Sequence, residues 1–276
     1  KTDQTGSIIW ESIIGYDMDE ENTNYGLDIS NDFIKSIDGS YIITGQYHAQ
    51  HPDILVLKID DQGSVQSKHI ISTAPSSQRL IESGKSILST DNGYIILASL
   101  SESSSNGPSN IWLSEYIETS SSEGDTTWSK TWDISTFDVP QKLIKRIDGS
   151  YALSGYSLSS NGEIQSSWII NSDFSGNELS SIIITGANYA YDLIENSNGD
   201  YIITGKKFND GDYQAWVACI DIQGNIVWEK IYGNGDNALF RSIKNTSDGG
   251  YIITGETQND GNNRILHVKT DPDGNI

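Results

Sequence analysis

Short apolar runs alternate with polar turns along the chain, and one such phrase recurs five times. It is an Asx-Gly turn followed by a tyrosine and three or four small or β-branched residues. The tyrosines are spaced by 53, 57, 50 and 50 residues and are Tyr41, Tyr94, Tyr151, Tyr201 and Tyr251. Turn residues interrupt the pattern about every ten positions, and no stretch keeps the periodicity of an amphipathic helix. The pattern predicts short β-strands in repeated units.

Each repeat is expected to contain four strands. In the fourth repeat the predicted strands are 190–195, 201–204, 214–220 and 227–232. Between them lie Asx- and Gly-rich turns, which tolerate a positive φ at low cost. β-Branched and aromatic residues fill the runs, as is typical of strands.

Repetition of a small sheet predicts how the sheets are arranged. A sheet of four antiparallel strands has two faces to cover, and stacking identical sheets around an axis covers both. We therefore predict an all-β fold, a five-bladed β-propeller with four antiparallel strands per blade, in one domain over 1–276. The predicted blades are roughly 16–72, 73–133, 134–185, 186–233 and 234–276, the last completed by 6–15. A β-sandwich does not explain the repeat.

The two chain ends suggest how the ring closes. Residues 6–15 match fourth strands such as 226–233, and the sequence ends at Ile276, where a fourth strand would begin. We expect the N-terminal strand to close the last blade, which removes an exposed sheet edge. However, 1–3 and 269–271 both match the end of a third strand. Three explanations therefore stay open. Residues 1–5 fray, the chain is a piece of a longer array, or the protein self-associates by exchange of terminal strands between neighbours.

Charge narrows the range of partners. Asp and Glu number 38 against 17 Lys and Arg, a net charge of -21. A balance this acidic argues against a nucleic-acid partner and against anionic membrane surfaces. No apolar run approaches the ~18 residues that membrane insertion requires. Cys219 is the single cysteine, which excludes an intrachain disulfide and a cysteine-based zinc site.

The repeat resembles a known group of proteins. The sequence Asp-Gly-Gly-Tyr-Ile-Ile-Thr-Gly at 248–255 is similar to repeats of secreted or cell-surface bacterial and archaeal β-propeller proteins. The segment Gly-Asn-Ile-Val-Trp-Glu at 224–229 also resembles quinoprotein-like (PQQ-like) propeller repeats. The resemblance implies an extracellular or cell-surface location. It does not extend to quinone chemistry, because that family has more blades and a pair of adjacent cysteines.

Tryptophans are the first candidate binding residues. Those at the third-strand position are expected to pack between sheets, and they are Trp112, Trp168 and Trp216. Those on or after predicted fourth strands are candidates for a glycan platform, although packing explains them too, and they are Trp10, Trp128, Trp132 and Trp228.

Metal and cofactor sites have weaker support. Asp210 and Asp212 lie in one turn and Asp260 in the matching turn of the next repeat, where oxygen ligands would suit Ca²⁺. The same residues are expected in a tight hairpin, and no bidentate glutamate completes a calcium loop. The acidic run 17–21 and the histidine-containing loop 48–53 are interpreted as solvated loops. We expect no cofactor, with Ca²⁺ as the alternative.

No catalytic residue stands out, and the nearest candidates are the carboxylates Asp32 and Asp192. The leading interpretation is a non-catalytic extracellular propeller for adhesion, ligand binding or assembly, with a protein or glycan partner at the cell surface. One alternative is a lectin-like carbohydrate-binding propeller. Another is a polysaccharide hydrolase or lyase, which would need two carboxylates facing one pocket.

Overall fold

The fold is all-β, as the repeat predicts. The structure, a computed structural model, describes residues 1–12, 14, 28–48, 52–73, 80–91, 93–102, 108–117, 125–186, 188–233, 236–259 and 261–276. These residues form antiparallel strands joined by turns, without a helix in the described ranges. Accordingly, none of them belongs to a helix able to span a membrane. They divide into two compact units, 1–131 and 132–276.

The first unit contains two sheets in which successive strands pair. The first is β1 (Ile29–Lys35), β2 (Tyr41–His48), β3 (Pro52–Ile59) and β4 (Val65–Ile71). The second is β5 (Leu80–Ser89), β6 (Tyr94–Glu102), β7 (Ser109–Ile117) and β8 (Asp125–Trp132). Each predicted repeat range in this unit therefore contains four strands.

The second unit continues the same order. Its strands are β9 (Phe137–Lys145), β10 (Tyr151–Leu158), β11 (Ile164–Ser172), β12 (Glu178–Thr185), β13 (Asn188–Glu195), β14 (Tyr201–Asn209), β15 (Asp212–Ile220), β16 (Ile226–Tyr232), β17 (Asp236–Asn245), β18 (Tyr251–Asn259) and β19 (Asn262–Thr270). Strands β9 to β12 pair in order, and so do β13 to β16. The last sheet has β17, β18 and β19 among the described residues.

Large aromatic side chains of the third strands fill the core. Trp168 pairs with Gly155 across β10 and β11, and Trp216 pairs with Gly205 across β14 and β15. Both indoles are fully buried. A glycine opposite each indole leaves room for the ring, so these tryptophans pack the sheets together, as expected.

A glycine in the second strand and a bulge in the first strand occur together. In β13 the register skips Tyr191, so that Ala190 pairs with Gly205 and Asp192 with Thr204. A Cβ on Gly205 would lie 1.7 Å from the carbonyl oxygen of Tyr189. No other residue type fits so close to the neighbouring backbone, and the bulge therefore requires the glycine that ends the Tyr-Ile-Ile-Thr-Gly phrase.

The opening residues form a turn of the kind found between third and fourth strands. The Asp221 carboxylate accepts hydrogen bonds from the backbone N–H groups of Gln223 and Asn225, at 3.0 and 2.8 Å. The Asp3 carboxylate does the same with Thr5 and Ser7, at 2.8 and 2.9 Å. Such Asx turns fix the loop without long side chains.

The N-terminal segment also pairs with itself. The carbonyl oxygen of Lys1 accepts a hydrogen bond from Ile9 N–H at 2.9 Å, and Thr2 bridges Ile8. Residues 1–2 thus pair with residues 8–9 as the end of a third strand pairs with the start of a fourth strand. Pairing of 8–10 with β19 would have to replace these contacts.

Trp10 packs as fourth-strand tryptophans do. A Cβ on Gly63, in the turn after β3, would lie 2.6 Å from the Trp10 ring. The matching turn after β19 contains Gly274, whose Cβ would lie 2.9 Å from the Trp228 ring of β16. Trp10 thus lies against the turn after β3 as Trp228, from the sheet before β17–β19, lies against the turn after β19.

Candidate functional site

Two positions in the repeat carry different side chains in different copies. The first is the residue skipped at the first-strand bulge, which is Asn31, Lys85, Gln141, Tyr191 and Arg241 in turn. The second follows the glycine, or the alanine of β6, and is Gln46, Ser99, Tyr156, Lys206 and Glu256. Residues shared by all copies build the scaffold, so these variable positions are where a site specific to this protein is expected.

Several of the variable positions in the second unit contact one another. Tyr156 and Tyr191 have ring centroids 6.1 Å apart, and the Arg241 guanidinium lies 5.2 Å from the Tyr191 ring. Arg241 Nη2 also donates to Glu256 Oε1 at 2.8 Å. Two further tyrosines extend the cluster. We call it the tyrosine surface, and it consists of Tyr156, Tyr189, Tyr191, Lys206, Tyr213, Arg241 and Glu256.

Tyr189 lies at the centre of the tyrosine surface. Its ring centroid is 4.8 Å from that of Tyr156, 6.2 Å from that of Tyr191 and 5.6 Å from that of Tyr213. Lys206 Nζ lies 4.4 Å from the Tyr189 ring and 4.1 Å from the Tyr213 ring. All four tyrosines are half-buried. They combine apolar ring faces with polar hydroxyl groups, a combination that suits sugar rings.

Burial shifts the pKa values of three residues of the tyrosine surface, namely Tyr189, Tyr191 and Lys206. It is the main cause that raises the pKa of Tyr191, and it also raises the pKa of Tyr189, where a hydrogen bond with Tyr213 adds to it. The hydroxyls of Tyr189 and Tyr191 are therefore neutral hydrogen-bonding groups at physiological pH. Burial lowers the pKa of Lys206, and the charge of Arg241 lowers it further.

Two carboxylates lie next to the clustered tyrosines in space or in sequence: Glu256, which belongs to the tyrosine surface, and Asp212, which precedes Tyr213. The Glu256 side chain is 44% exposed and is held by Arg241. Asp212 begins β15 beside Tyr213 and accepts hydrogen bonds from the N–H groups of Tyr213 and Asn237, at 2.7 and 3.1 Å. Both residues are at least partly exposed to solvent.

Asp32 and Asp192, the carboxylates predicted as nearest to catalytic, occupy equivalent places, each just after its bulge. Asp192 Oδ2 accepts hydrogen bonds from Ser242 Oγ and Ile243 N–H of the next sheet, both at 2.9 Å. Asp32 Oδ2 accepts from Ser86 Oγ at 2.6 Å and from Ile87 N–H at 3.3 Å. They tie neighbouring sheets together, a structural use of their oxygens.

The four candidate tryptophans have separate surroundings. Trp10 Nε1 donates to the carbonyl oxygen of Asp61 at 2.6 Å, and the residue lines a cavity of about 420 Å³ in the first unit. Trp228 lines a cavity of about 500 Å³ in the second. Trp132 Nε1 donates to Glu178 at 2.9 Å, and the Trp128 carbonyl accepts from Ser114 at 2.7 Å. Their role as a glycan platform stays a prediction.

Two of the three predicted metal positions, Asp210 and Asp212, lie at the hairpin between β14 and β15. Asp210 is exposed and has φ of 51°, a turn conformation, and Asp212 caps backbone N–H groups as described. Asp260, the acidic run 17–21 and His51 lie outside the described residues, as does the side chain of His48. Within the ranges that the structure describes, no three His, Cys, Asp or Glu side chains form a potential metal site. Calcium binding stays a prediction.

Sequence reasoning missed the tyrosine surface. Its signal is the residue that follows the repeated phrase, Tyr-Ala-Leu-Ser-Gly in the third copy and Tyr-Ile-Ile-Thr-Gly in the last two. This residue is Tyr156, Lys206 and Glu256 in turn. The phrase itself repeats, so a change of residue type directly behind it marks a place where the repeats diverge. The bulge residues Tyr191 and Arg241 need the strand register to be recognised.

Comparison with known proteins identifies the fold. No protein family and no curated protein matches the chain. A solved structure of an endo-arabinase from Bacteroides thetaiotaomicron matches with a TM-score of 0.53 at 11% identity, over 91% of this chain and 97% of the other. A protein of unknown function from Bacteroides caccae matches with a TM-score of 0.51 at 14% identity, over 99% and 85%. The chain thus has a β-propeller fold.

These matches correct the leading functional interpretation. The sequence favours a non-catalytic propeller for adhesion, ligand binding or assembly over an enzyme. The fold is shared over almost the whole length of a solved endo-arabinase, which contradicts that interpretation and favours the hydrolase alternative. The prediction failed because the sequence pattern reports the scaffold, which enzymes and binding proteins of this fold share.

Proposed function

We propose that the protein is a polysaccharide hydrolase that binds its substrate at the tyrosine surface. The observation that carries the proposal is Glu256, an accessible carboxylate held 2.8 Å from Arg241 at the edge of four clustered tyrosines. Aromatic faces bind sugar rings, and a carboxylate beside them is the group that glycoside hydrolysis uses. The fold shared with an endo-arabinase agrees with this proposal.

Hydrolysis here would use two carboxyl groups. One donates a proton to the glycosidic oxygen as the bond to the sugar C1 breaks, and the other activates a water that supplies the hydroxyl to C1. We propose Glu256 and Asp212 for these roles, because the first belongs to the tyrosine surface, the second precedes Tyr213 and neither is buried in the core. The neutral tyrosine hydroxyls would orient the substrate by hydrogen bonds.

The test is release of reducing sugar ends. Purified protein is incubated with arabinan, xylan, galactan and polygalacturonate, and the expected result is turnover of at least one polymer. Glu256→Gln keeps the size of the side chain and removes the carboxylate, so it should lower kcat by at least about 100-fold. Glu163→Gln removes an exposed carboxylate from another hairpin and should leave the rate unchanged. Equal rates for both variants would refute the role of Glu256.

The finer architecture is part of the proposal. We propose five blades around one axis, with residues 6–15 supplying the fourth strand of the last blade. The support comes from Trp10, which packs on the Gly63 turn in the same way as Trp228 packs on the Gly274 turn. A blade that precedes β1–β4 in a ring of five is the blade of β17–β19. Self-association through these strands is the competing arrangement.

We further propose that the protein works outside the cell. Polymeric polysaccharides are extracellular substrates, and the resemblance of the repeats to secreted propellers points the same way. Fractionation of the native source would test this, with activity expected in the culture medium or on the cell surface. Activity confined to the cell interior would contradict it.

A further inference from the structure

We propose that the tyrosine surface recognises a polysaccharide whose sugars carry carboxylates, such as a polymer of uronic acids. The inference deepens the proposed function and rests on it, because it names the substrate class of the same site. It follows from the pairing of charges at the surface, where Arg241 forms an ion pair with Glu256 but Lys206 contacts aromatic rings.

Lys206 is the cation of the tyrosine surface that forms no ion pair among the described residues. Arg241 forms an ion pair with Glu256 at 2.8 Å, whereas Lys206 Nζ contacts the faces of Tyr189 and Tyr213. In the part of the chain that the structure describes, no carboxylate lies within ion-pair distance of Nζ. A half-buried ammonium without a counter-charge is unusual in a protein whose net charge is -21.

A sugar carboxylate would supply the missing charge. Removing an ammonium from water disfavours its charged form, and a neighbouring guanidinium disfavours it further. Both effects act on Lys206 and lower its pKa. A neutral sugar would bury the ammonium more deeply without compensation, while a carboxylate would pair with it.

Arg241 can contribute to the same contact. Its side chain is 59% exposed, and Nη2 is the nitrogen that donates to Glu256. A guanidinium carries five N–H donors, so the remaining ones are available for a bound carboxylate. The rings of Tyr189 and Tyr191 lie beside the two cations, at 4.4 and 5.2 Å. One acidic sugar would thus find a ring face and a cation together.

The negative charge of the whole chain opposes a polyanion, but only weakly at this site. The Debye length is about 8 Å at physiological ionic strength, so charges farther away are largely screened. Contacts within the tyrosine surface therefore decide the preference.

Isothermal titration calorimetry at physiological ionic strength tests the inference. The probes are a hexamer of galacturonic acid and the same hexamer with its carboxyl groups reduced to alcohols. The acidic hexamer is expected to bind about tenfold more tightly. Lys206→Met should remove most of this difference, so that the two hexamers bind the variant with similar affinity. Lys145→Met removes an exposed lysine at the end of β9, outside the tyrosine surface. It should change the affinity for neither hexamer.

The outcomes separate this inference from the proposed function. Equal affinity for the two hexamers, or tighter binding of the reduced one, overturns the inference and leaves a hydrolase of neutral polymers. A preference that Lys206→Met does not affect also overturns it. Absence of binding by both hexamers, with hydrolysis of arabinan or xylan, overturns the inference alone. Absence of any binding and any hydrolysis overturns both. Thermal unfolding of each variant verifies that it is folded.

Discussion

Asp192 shows how the surroundings of one residue determine its role. Its carboxylate is buried and accepts hydrogen bonds from Leu193 and from Ser242 and Ile243 of the following sheet. From the sequence alone, Asp192 is a carboxylate in a predicted first strand, and a catalytic carboxylate at that place would look the same. The three donors, which no sequence pattern reveals, make it a link between sheets.

Replacing this link should destabilise the protein. Asp192→Ala leaves buried donors without an acceptor, and we expect a loss of about 3 kcal/mol in the free energy of unfolding. Urea denaturation followed by tryptophan fluorescence measures it. Asp133→Ala, at an exposed position, should change stability by less than about 0.5 kcal/mol. A similar, small effect of both substitutions would show that the link is not stabilising.

Asp138 predicts a pH dependence of stability. Burial raises the pKa of this carboxyl, although Ser157 and two backbone N–H groups favour its charged form. The folded state therefore holds the proton to higher pH than the unfolded state does. Its contribution to stability is greatest below the unfolded pKa and falls as the pH rises through the folded pKa.

The variant Asp138→Asn isolates this contribution. Its free energy of unfolding should decline less than that of the wild type as the pH rises from the ordinary aspartate pKa toward neutrality. Turn aspartates such as Asp38 and Asp248 act in the opposite direction, because hydrogen bonds lower their pKa values, and they remain in both proteins. Parallel pH profiles of wild type and variant would contradict the assignment.

At the scale of the element, the glycine and the bulge form one structural unit. The carbonyl oxygen of Tyr189 occupies the space that a Cβ on Gly205 would need, and the bulge at Tyr191 brings it there. The sheet of β5 to β7 has Ala98 in place of this glycine and Gly84 across from it. In both sheets one residue of this cross-strand pair is a glycine. It lies on the second strand at Gly205 and on the first strand at Gly84.

Gly205→Ala should therefore damage both stability and binding. We expect a loss of at least about 3 kcal/mol, because the neighbouring backbone has to move away from the new methyl group. Sugar binding should weaken as well, since Tyr189 and Tyr191 lie on the strand that moves. Gly211→Asn changes an open turn position and should cost about 1 kcal/mol or less. Retention of full stability in Gly205→Ala would contradict the coupling.

The strands could be predicted from sequence, whereas the site could not. Each second strand begins at a tyrosine of the repeated phrase, and the turns carry Asx-Gly signals, so β14 and β18 follow from local pattern. A bulge adds one residue to a strand without changing the type of residue found there. The pattern of turns and apolar runs therefore does not predict that Tyr191 and Arg241 lie at bulges. Convergence of β10, β13 and β17 on one surface is tertiary, and only coordinates reveal it.

At the scale of the whole molecule, the closure of the ring can be tested by a disulfide. Aligning Trp10 with Trp228 places Ser12 opposite His267, because Lys230 pairs with Val217 at the equivalent place in β15 and β16. Ser12→Cys combined with His267→Cys, in a Cys219→Ser background, should form a disulfide within one chain. A non-reducing gel and mass measurement detect it. Disulfide-linked dimers would indicate strand exchange, and free thiols would contradict the pairing.

The central claim is that the tyrosine surface holds the sugar chain that the enzyme cleaves. A crystal structure of the Glu256→Gln variant with an oligosaccharide of its best substrate tests this most directly. The account predicts sugar rings on Tyr189 and Tyr191, with a glycosidic oxygen within hydrogen-bond distance of residue 256. Sugar bound instead in the cavity beside Trp10 or Trp228, with none at the tyrosine surface, would contradict it.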